Sequence, residues 1–70
     1  MDTEFLTTME EIVASIKEAG YEPYDQLYGY ITKGKADYIT RTGNAREKIK
    51  TLNWLKVKEY VEHMNNERIE

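Results

Sequence analysis

Apolar residues recur along this chain at the spacing of α-helices. They fall three, four and seven positions apart, which places them along one face of a helix, and no stretch alternates between apolar and polar residues as a half-buried strand does. The four sets are Met9, Ile12, Val13 and Ile16; Tyr24, Leu27, Tyr28 and Ile31; Ala45, Ile49 and Leu52; and Trp54, Val57, Val61 and Met64. The pattern predicts an all-α fold, a compact bundle of four short helices at about 8–19, 23–33, 45–52 and 54–65, with a short turn near 36–39.

Threonine, glycine and proline mark the ends of the first two predicted helices. Thr7 and Thr8 are each followed three positions later by a glutamate, and either pair can form a capping box that starts the first helix. Gly20 adopts a left-handed backbone conformation without steric cost and can end that helix. Pro23 suits the first turn of the second helix, and Gly34 ends it.

Two asparagines mark the boundaries in the second half of the chain. Asn44 is followed three positions later by a glutamate and can cap the third helix. Asn53 can end that helix and cap the next one. The apolar stripe shifts register between Leu52 and Trp54, which favours two helices, and one continuous helix over 45–65 is the alternative.

The length of the chain limits the size of its core. Seventy residues form one domain, 1–70, and we expect loose ends at about 1–6 and 66–70. A chain of this size buries only about 60% of the surface that its unfolded form exposes, so its core is thin. There is no cysteine to add a disulfide. Small domains without such links are often stabilised by association, and we therefore expect a homodimer.

The second helix carries residues suited to contacts on two faces. Tyr24 and Tyr28 belong to its apolar face and are assigned to the core, whereas Gly29 lies on the opposite face, where an interior glycine costs about 1 kcal/mol relative to alanine. Close approach of another helix would compensate for that cost. Tyrosine combines an apolar ring with a polar tip and suits interfaces. The candidate interface residues are Gln26, Gly29, Tyr30, Tyr38 and Arg46.

Charge is unevenly distributed along the chain. Residues 1–30 carry seven acids and one lysine, residues 31–58 carry eight bases and two acids, and residues 59–70 carry four acids and one arginine. The simpler interpretation is that the two acidic ends dock against the basic middle, in one chain or across a dimer. The alternative is a small nucleic-acid-binding protein that uses the basic segment 31–58. We rank a nucleic-acid partner below a protein partner.

The chain lacks the side-chain combinations that catalysis and metal binding require. His63 is the only histidine and there is no cysteine, so we expect no zinc site and no activated nucleophile. No glycine-rich phosphate loop is present. We therefore predict no enzyme activity, no cofactor and no metal. The absence of cysteine fits a reducing cytoplasm, no apolar run of roughly 18 residues exists to span a membrane, and the acidic start is unlike a signal peptide.

Several of these residues together resemble the IreB family, small regulatory phosphoproteins of low-GC Gram-positive bacteria. The matching frame is Gly20-Tyr21-x-Pro23, Gln26-Leu27-x-Gly29-Tyr30-Ile31, Gly34, Tyr38-Ile39 and Ala45-Arg46-x-x-Ile49-x-x-Leu52. The resemblance implies a small all-α domain that dimerises in the cytoplasm. It also implies a substrate of a membrane Ser/Thr kinase that has extracellular cell-wall-binding repeats. Such a substrate acts as a negative regulator in cell-envelope stress and antibiotic resistance.

The N-terminal end departs from the family pattern. The family's phosphorylated threonines lie in an arm with a Glu-Thr-Met-x-Phe pattern, and this chain is shorter there, with only Asp2-Thr3-Glu4-Phe5 as a faint echo. The candidate phosphorylation sites are Thr3, Thr7 and Thr8. The predicted function is that of a non-catalytic, cytoplasmic regulatory protein whose partners are a Ser/Thr kinase and a regulatory protein.

Overall fold

The computed structural model describes residues 3–69, with side chains up to residue 66. The helices, in chain order, are α1 at Thr3–Glu18, α2 at Pro23–Lys33, α3 at Ala45–Lys50 and α4 at Trp54–Ile69. Two short 3-10 turns, Ala36–Tyr38 and Thr42–Asn44, lie between α2 and α3. Every regular element of the described residues is helical, which confirms the predicted all-α fold with four helices and a turn near 36–39.

Helix α1 begins well before the predicted position. It starts at Thr3 rather than near residue 8, because Phe5 is buried and packs edge-to-face on Tyr60 of α4, with the ring centroids 6.3 Å apart. Both threonines of the predicted capping boxes therefore lie inside the helix, and those boxes are wrong. Of the end expected to be loose at about 1–6, the residues from Thr3 onwards are helical, and residues 1–2 lie outside the described part of the chain.

The residues after α1 set its end and lead into α2. Gly20 has a φ of 89°, and its N–H donates to the Lys17 carbonyl at 2.9 Å, while the N–H of Tyr21 donates to the Ile16 carbonyl at 3.1 Å. This pair of bonds is the Schellman motif that the sequence predicts at Gly20. Helix α2 then spans the predicted residues and is followed by Gly34, which has a left-handed φ of 70°.

Helices α3 and α4 are separate, so the two-helix prediction is confirmed. The Asn53 side-chain oxygen accepts hydrogen bonds from the N–H groups of Leu55 at 2.9 Å and Lys56 at 3.2 Å, and thus caps α4 as expected. The prediction for Asn44 is wrong, because its backbone is left-handed, with a φ of 63°, and its side chain makes no capping bond. Helix α4 continues to residue 69, past the predicted end near 65, because no glycine or proline interrupts it.

The core lies where the four helices meet. Helix α1 packs against α3 and the second 3-10 turn, and α2 packs against α4 and the first 3-10 turn. The buried apolar side chains are Phe5, Met9, Ile12, Ile16, Leu27, Tyr30, Ile39, Ala45, Ile49, Val57 and Val61. None of the helices in the described part of the chain has both the length and the apolar character needed to cross a membrane.

The buried face of α2 differs from the predicted one. Its buried residues are Pro23, Leu27 and Tyr30, and Tyr30 is only 9% exposed. By contrast, Tyr28 is 50% exposed and Tyr24 is half-buried. The prediction that Tyr28 belongs to the core is therefore wrong, whereas Tyr24 packs against the core as a partly buried residue. Tyr30, which the sequence predicts at an interface, is part of the core. Because α2 lies between α4 and the first 3-10 turn, its buried stripe is rotated toward Tyr30.

Candidate functional site

The first 3-10 turn is held in place by two of the predicted interface residues. The Gln26 side-chain oxygen accepts a hydrogen bond from the N–H of Thr40 at 2.8 Å. The Arg46 guanidinium donates from Nε to the Ile39 carbonyl at 2.8 Å and from Nη2 to the Asp37 carbonyl at 3.2 Å. These bonds satisfy backbone groups outside the regular helices. Both side chains therefore stabilise a turn of their own chain.

Gly29 lies where Tyr38 packs on α2. A Cβ built on Gly29 would stand 2.8 Å from Cδ1 and 3.1 Å from Cγ of Tyr38, which is closer than carbon atoms normally approach. A close approach at Gly29 is thus observed, but the neighbour is a ring of the 3-10 turn of the same chain and not the helix that the sequence predicts. The Tyr38 ring remains half-exposed on its outer side.

Four of the five predicted interface residues therefore form one cluster around the first 3-10 turn. These are Gln26, Gly29, Tyr38 and Arg46. Tyr30 lies apart in the core, where its ring is not available to a partner. Beside the cluster is a groove of about 370 Å³ lined by Asp37, Arg41, Asn44, Arg46, Glu47 and Lys50. Because two carboxylates line it together with three cations, this groove is not a uniformly basic site.

A second surface, which the sequence patterns did not identify, lies between α2 and α4. The rings of Tyr24 and Tyr28 form one wall, with centroids 5.6 Å apart and planes tilted by 31°. We call this surface the aromatic groove. It has a volume of about 530 Å³ and is lined by Tyr24, Tyr28, Ile31, Thr32, Lys58, Val61, Glu62, Asn65 and Asn66. The sequence feature that could have indicated the aromatic groove is the apolar stripe of α2, which was predicted to face the core.

The three candidate phosphorylation sites all lie on α1. Thr3 is its first residue, Thr7 is exposed within the helix, and Thr8 is half-buried. The Thr8 hydroxyl donates to the Glu4 carbonyl at 3.0 Å. Thr8 also lines a groove of about 300 Å³ that Lys56 shares. The structure thus places the three hydroxyls on helical backbone and not in the loose arm that the sequence suggested.

The acidic and basic segments of the chain meet at the surface. Lys48 Nζ lies 3.4 Å from the Glu11 carboxylate of α1, and Lys50 Nζ lies 3.0 Å from the Glu47 carboxylate within α3. The contact between Glu11 and Lys48 agrees with the simpler interpretation of the charge pattern, in which an acidic end docks against the basic middle. Exposed pairs of this kind contribute at most about 1 kcal/mol each, so they add little to the stability of the fold.

The metal-binding residue types of the described chain do not cluster. His63, the only histidine of the chain, is exposed on α4. Across the described residues, no group of three or more histidine, cysteine or acidic side chains is placed to hold a metal ion. Every buried side-chain polar atom in that part of the chain has a hydrogen-bond partner.

Comparison with known proteins identifies the family. A family model described as IreB regulatory phosphoprotein matches residues 1–68. A protein of Ruminiclostridium cellulolyticum, named UPF0297 protein, is 37% identical over 76 residues, which cover 96% of this chain and 86% of the relative. No solved structure matches the chain. Since the family match spans nearly all residues, including the glycine, proline and tyrosine frame around α2, the chain belongs to the IreB family of regulatory phosphoproteins.

Proposed function

We propose that this protein is a non-catalytic cytoplasmic regulator that acts through protein contacts and works as a homodimer. Membership in the IreB family supports the regulatory role. The observation that supports a protein contact is the aromatic groove, where half of the Tyr28 side chain is open to solvent beside polar residues of α4. Tyrosine offers a large, rigid apolar ring with a hydroxyl at its tip, a combination enriched in protein interfaces.

The partner that fits the aromatic groove best is a second copy of the chain. Lys58 and Glu62 lie on its rim, four residues apart on α4. A two-fold contact uses the same patch twice, so Lys58 of one copy can face Glu62 of the other. The apolar part of the groove, at Ile31 and Val61, would be covered in the same contact. A chain with so thin a core gains stability from this added burial.

Tyr28→Glu tests the dimer, because it places a charge in the middle of the proposed contact. We expect light scattering at micromolar concentration to give the 8.3 kDa mass of one chain for this variant and twice that mass for the wild type. Tyr21→Glu is the matched control, because Tyr21 is 57% exposed and does not line the aromatic groove. A monomeric wild type contradicts the dimer, and a dimer that survives Tyr28→Glu contradicts its location.

We further propose that a membrane Ser/Thr kinase phosphorylates α1 at Thr3, Thr7 or Thr8. The family's description as phosphoproteins and the exposure of Thr3 and Thr7 support this proposal. Mass spectrometry after reaction with such a kinase and ATP locates the phosphate. Modification confined to Ser15, to Thr40 or to later positions would count against it.

The pathway we propose is negative regulation of the response to cell-envelope stress, as the family resemblance implies. Deletion of the gene is then expected to raise the resistance of its Gram-positive host to a cell-wall antibiotic, and re-expression should restore sensitivity. Unchanged resistance after deletion would argue against the pathway and leave the dimer proposal intact.

Nucleic-acid binding through the basic segment 31–58 is the weaker alternative. Lys48 and Lys50 of this segment are paired with glutamates, and Arg46 donates to backbone carbonyls. A nucleic-acid phosphate would have to compete with these contacts. Binding to DNA or RNA that weakens steeply as salt is added would favour this alternative, because phosphate contacts release counterions.

A further inference from the structure

The candidate phosphorylation sites lie in a part of α1 that is folded onto the core. We call residues 3–8 the strap. Phe5 anchors it, because its ring is buried and stands edge-to-face on Tyr60 of α4, with 6.3 Å between the centroids and 73° between the ring planes. This geometry is a favoured arrangement of two aromatic rings and adds to the effect of their burial. The strap is therefore held by a contact with a distant part of the chain.

The threonines of the strap are constrained by the helix that carries them. The Thr8 hydroxyl donates to the Glu4 carbonyl, one turn earlier, at 3.0 Å. Met9, which follows the strap, is fully buried. Thr7 is exposed, but it lies between Phe5 and Met9, both of which point into the core. The backbone at Thr7 and Thr8 can therefore become extended only if the strap leaves α4.

Phosphoryl transfer requires an acceptor that can enter the kinase active site. The kinase holds the hydroxyl in line with the γ-phosphorus of ATP, beside an aspartate that takes the hydroxyl proton. The bond from Oγ to phosphorus forms while the bond from phosphorus to the bridging oxygen breaks, and ADP leaves. A helix with its side chains is about 10–12 Å wide. An acceptor inside a packed helix therefore cannot be aligned until its backbone is released.

We infer that the strap must unwind before Thr7 or Thr8 is phosphorylated, and that the contact of Phe5 with Tyr60 sets how often it does so. This inference rests on the proposed kinase-substrate function. Segments with few buried apolar contacts open locally at a lower free energy than global unfolding requires, and Phe5 is the one buried side chain of the strap. The rate of phosphorylation is thus controlled from α4, and a ligand that displaces Tyr60 would raise it.

Hydrogen exchange of the full chain measures this opening directly. Phe5→Ala removes the anchor, and Leu6→Ala is the matched control, because Leu6 is the next residue and is 37% exposed. We expect amides 7–9 to exchange faster than amides 13–18 in the wild type, and Phe5→Ala to speed the exchange of amides 7–9 by at least about tenfold. Leu6→Ala changes neither set. Wild-type amides 7–9 that already exchange as fast as those of Phe5→Ala overturn the inference.

Phe5→Leu keeps the experiment informative if Phe5→Ala unfolds the whole chain. Leucine preserves apolar burial but loses the edge-to-face contact, so the inference expects a smaller acceleration in the same amides. If amides 7–9 exchange no faster than amides 13–18 in the wild type and in Phe5→Leu, the inference is overturned, because opening would then be global.

The same variants are then treated with the purified catalytic domain of a membrane Ser/Thr kinase and ATP. We expect the phosphorylation rate of Thr7 and Thr8 to rise in Phe5→Ala by a factor similar to the rise in amide exchange, and to stay unchanged in Leu6→Ala. Equal rates in all variants overturn this inference alone. If no variant is phosphorylated, the kinase-substrate proposal fails, and this inference fails with it.

Discussion

Replacing Gly29 with alanine tests how the first 3-10 turn packs on α2. Helix propensity alone predicts that the change stabilises an interior helical position by about 1 kcal/mol. In this fold the new methyl group would stand 2.8 Å from Cδ1, 3.1 Å from Cγ and 3.3 Å from Cβ of Tyr38. Rotation of the half-exposed ring can move Cδ1 away. Cβ and Cγ, however, can move far enough only if the backbone of the turn moves with them.

The cost of that movement decides the sign of the effect. Adding a methyl group to a filled contact typically costs about 1–3 kcal/mol. Movement of the turn also strains the 2.8 Å bond from the Thr40 N–H to Gln26, and such a bond contributes about 1 kcal/mol net. We therefore expect Gly29→Ala to leave the free energy of unfolding unchanged or to lower it by up to about 2 kcal/mol. A gain of 1 kcal/mol would instead raise Tm by about 4–8 °C in a domain of this size.

A double-mutant cycle isolates the contact with Tyr38. Urea unfolding followed by circular dichroism gives the free energy of unfolding for the wild type, Gly29→Ala, Tyr38→Ala and the double variant. With the ring removed, Gly29→Ala should recover most of the propensity gain, so the coupling between the two sites is expected to be about 1 kcal/mol or more. A higher Tm for Gly29→Ala in the wild-type background, without coupling to Tyr38, would refute the reasoning.

Two further changes test contacts that position the turn and start α4. Arg46→Ala should lower the free energy of unfolding by about 1–3 kcal/mol, because the carbonyls of Asp37 and Ile39 lose a charged donor. Arg46→Lys should restore only part of this free energy, since an ammonium lacks the forked donors of a guanidinium. Full rescue by lysine in urea unfolding would count against this account. Asn53→Ala should cost about 1 kcal/mol through loss of the α4 cap. The control Glu59→Gln, at an exposed site of α4 outside the aromatic groove, should stay within about 0.5 kcal/mol, and equal Tm values for the two variants would contradict the capping role.

The sequence predicted the elements whose ends are set by local chemistry. Helix α2 starts at Pro23 and is followed by Gly34 because a proline ring suits a first helical turn and glycine accepts a left-handed backbone. Asn53 separates α3 from α4 because its side chain reaches amides only two and three residues ahead. The family frame around α2 also consists of short, local motifs. Each of these signals lies within a few residues of the feature that it predicts.

The sequence predicted which residues form the candidate site, but it did not predict which residues they contact. Gln26, Gly29 and Arg46 stood out because an amide, a glycine and an arginine do not belong on a buried apolar stripe. They were expected to contact a partner chain, whereas in the structure they contact Tyr38 and its neighbours in the turn. The aromatic groove was missed for the complementary reason, since its tyrosines were counted as core.

Only the tertiary structure decided where α1 begins and which tyrosines of α2 are buried. Phe5 extends α1 to the N-terminal side because it meets Tyr60, a residue at the other end of the chain. Tyr30 is buried and Tyr28 is exposed because α4 and the first 3-10 turn approach α2 from different sides. Helical periodicity by itself determines which residues share a face. The direction from which packing partners approach selects the face that is buried, and those partners are distant in the sequence.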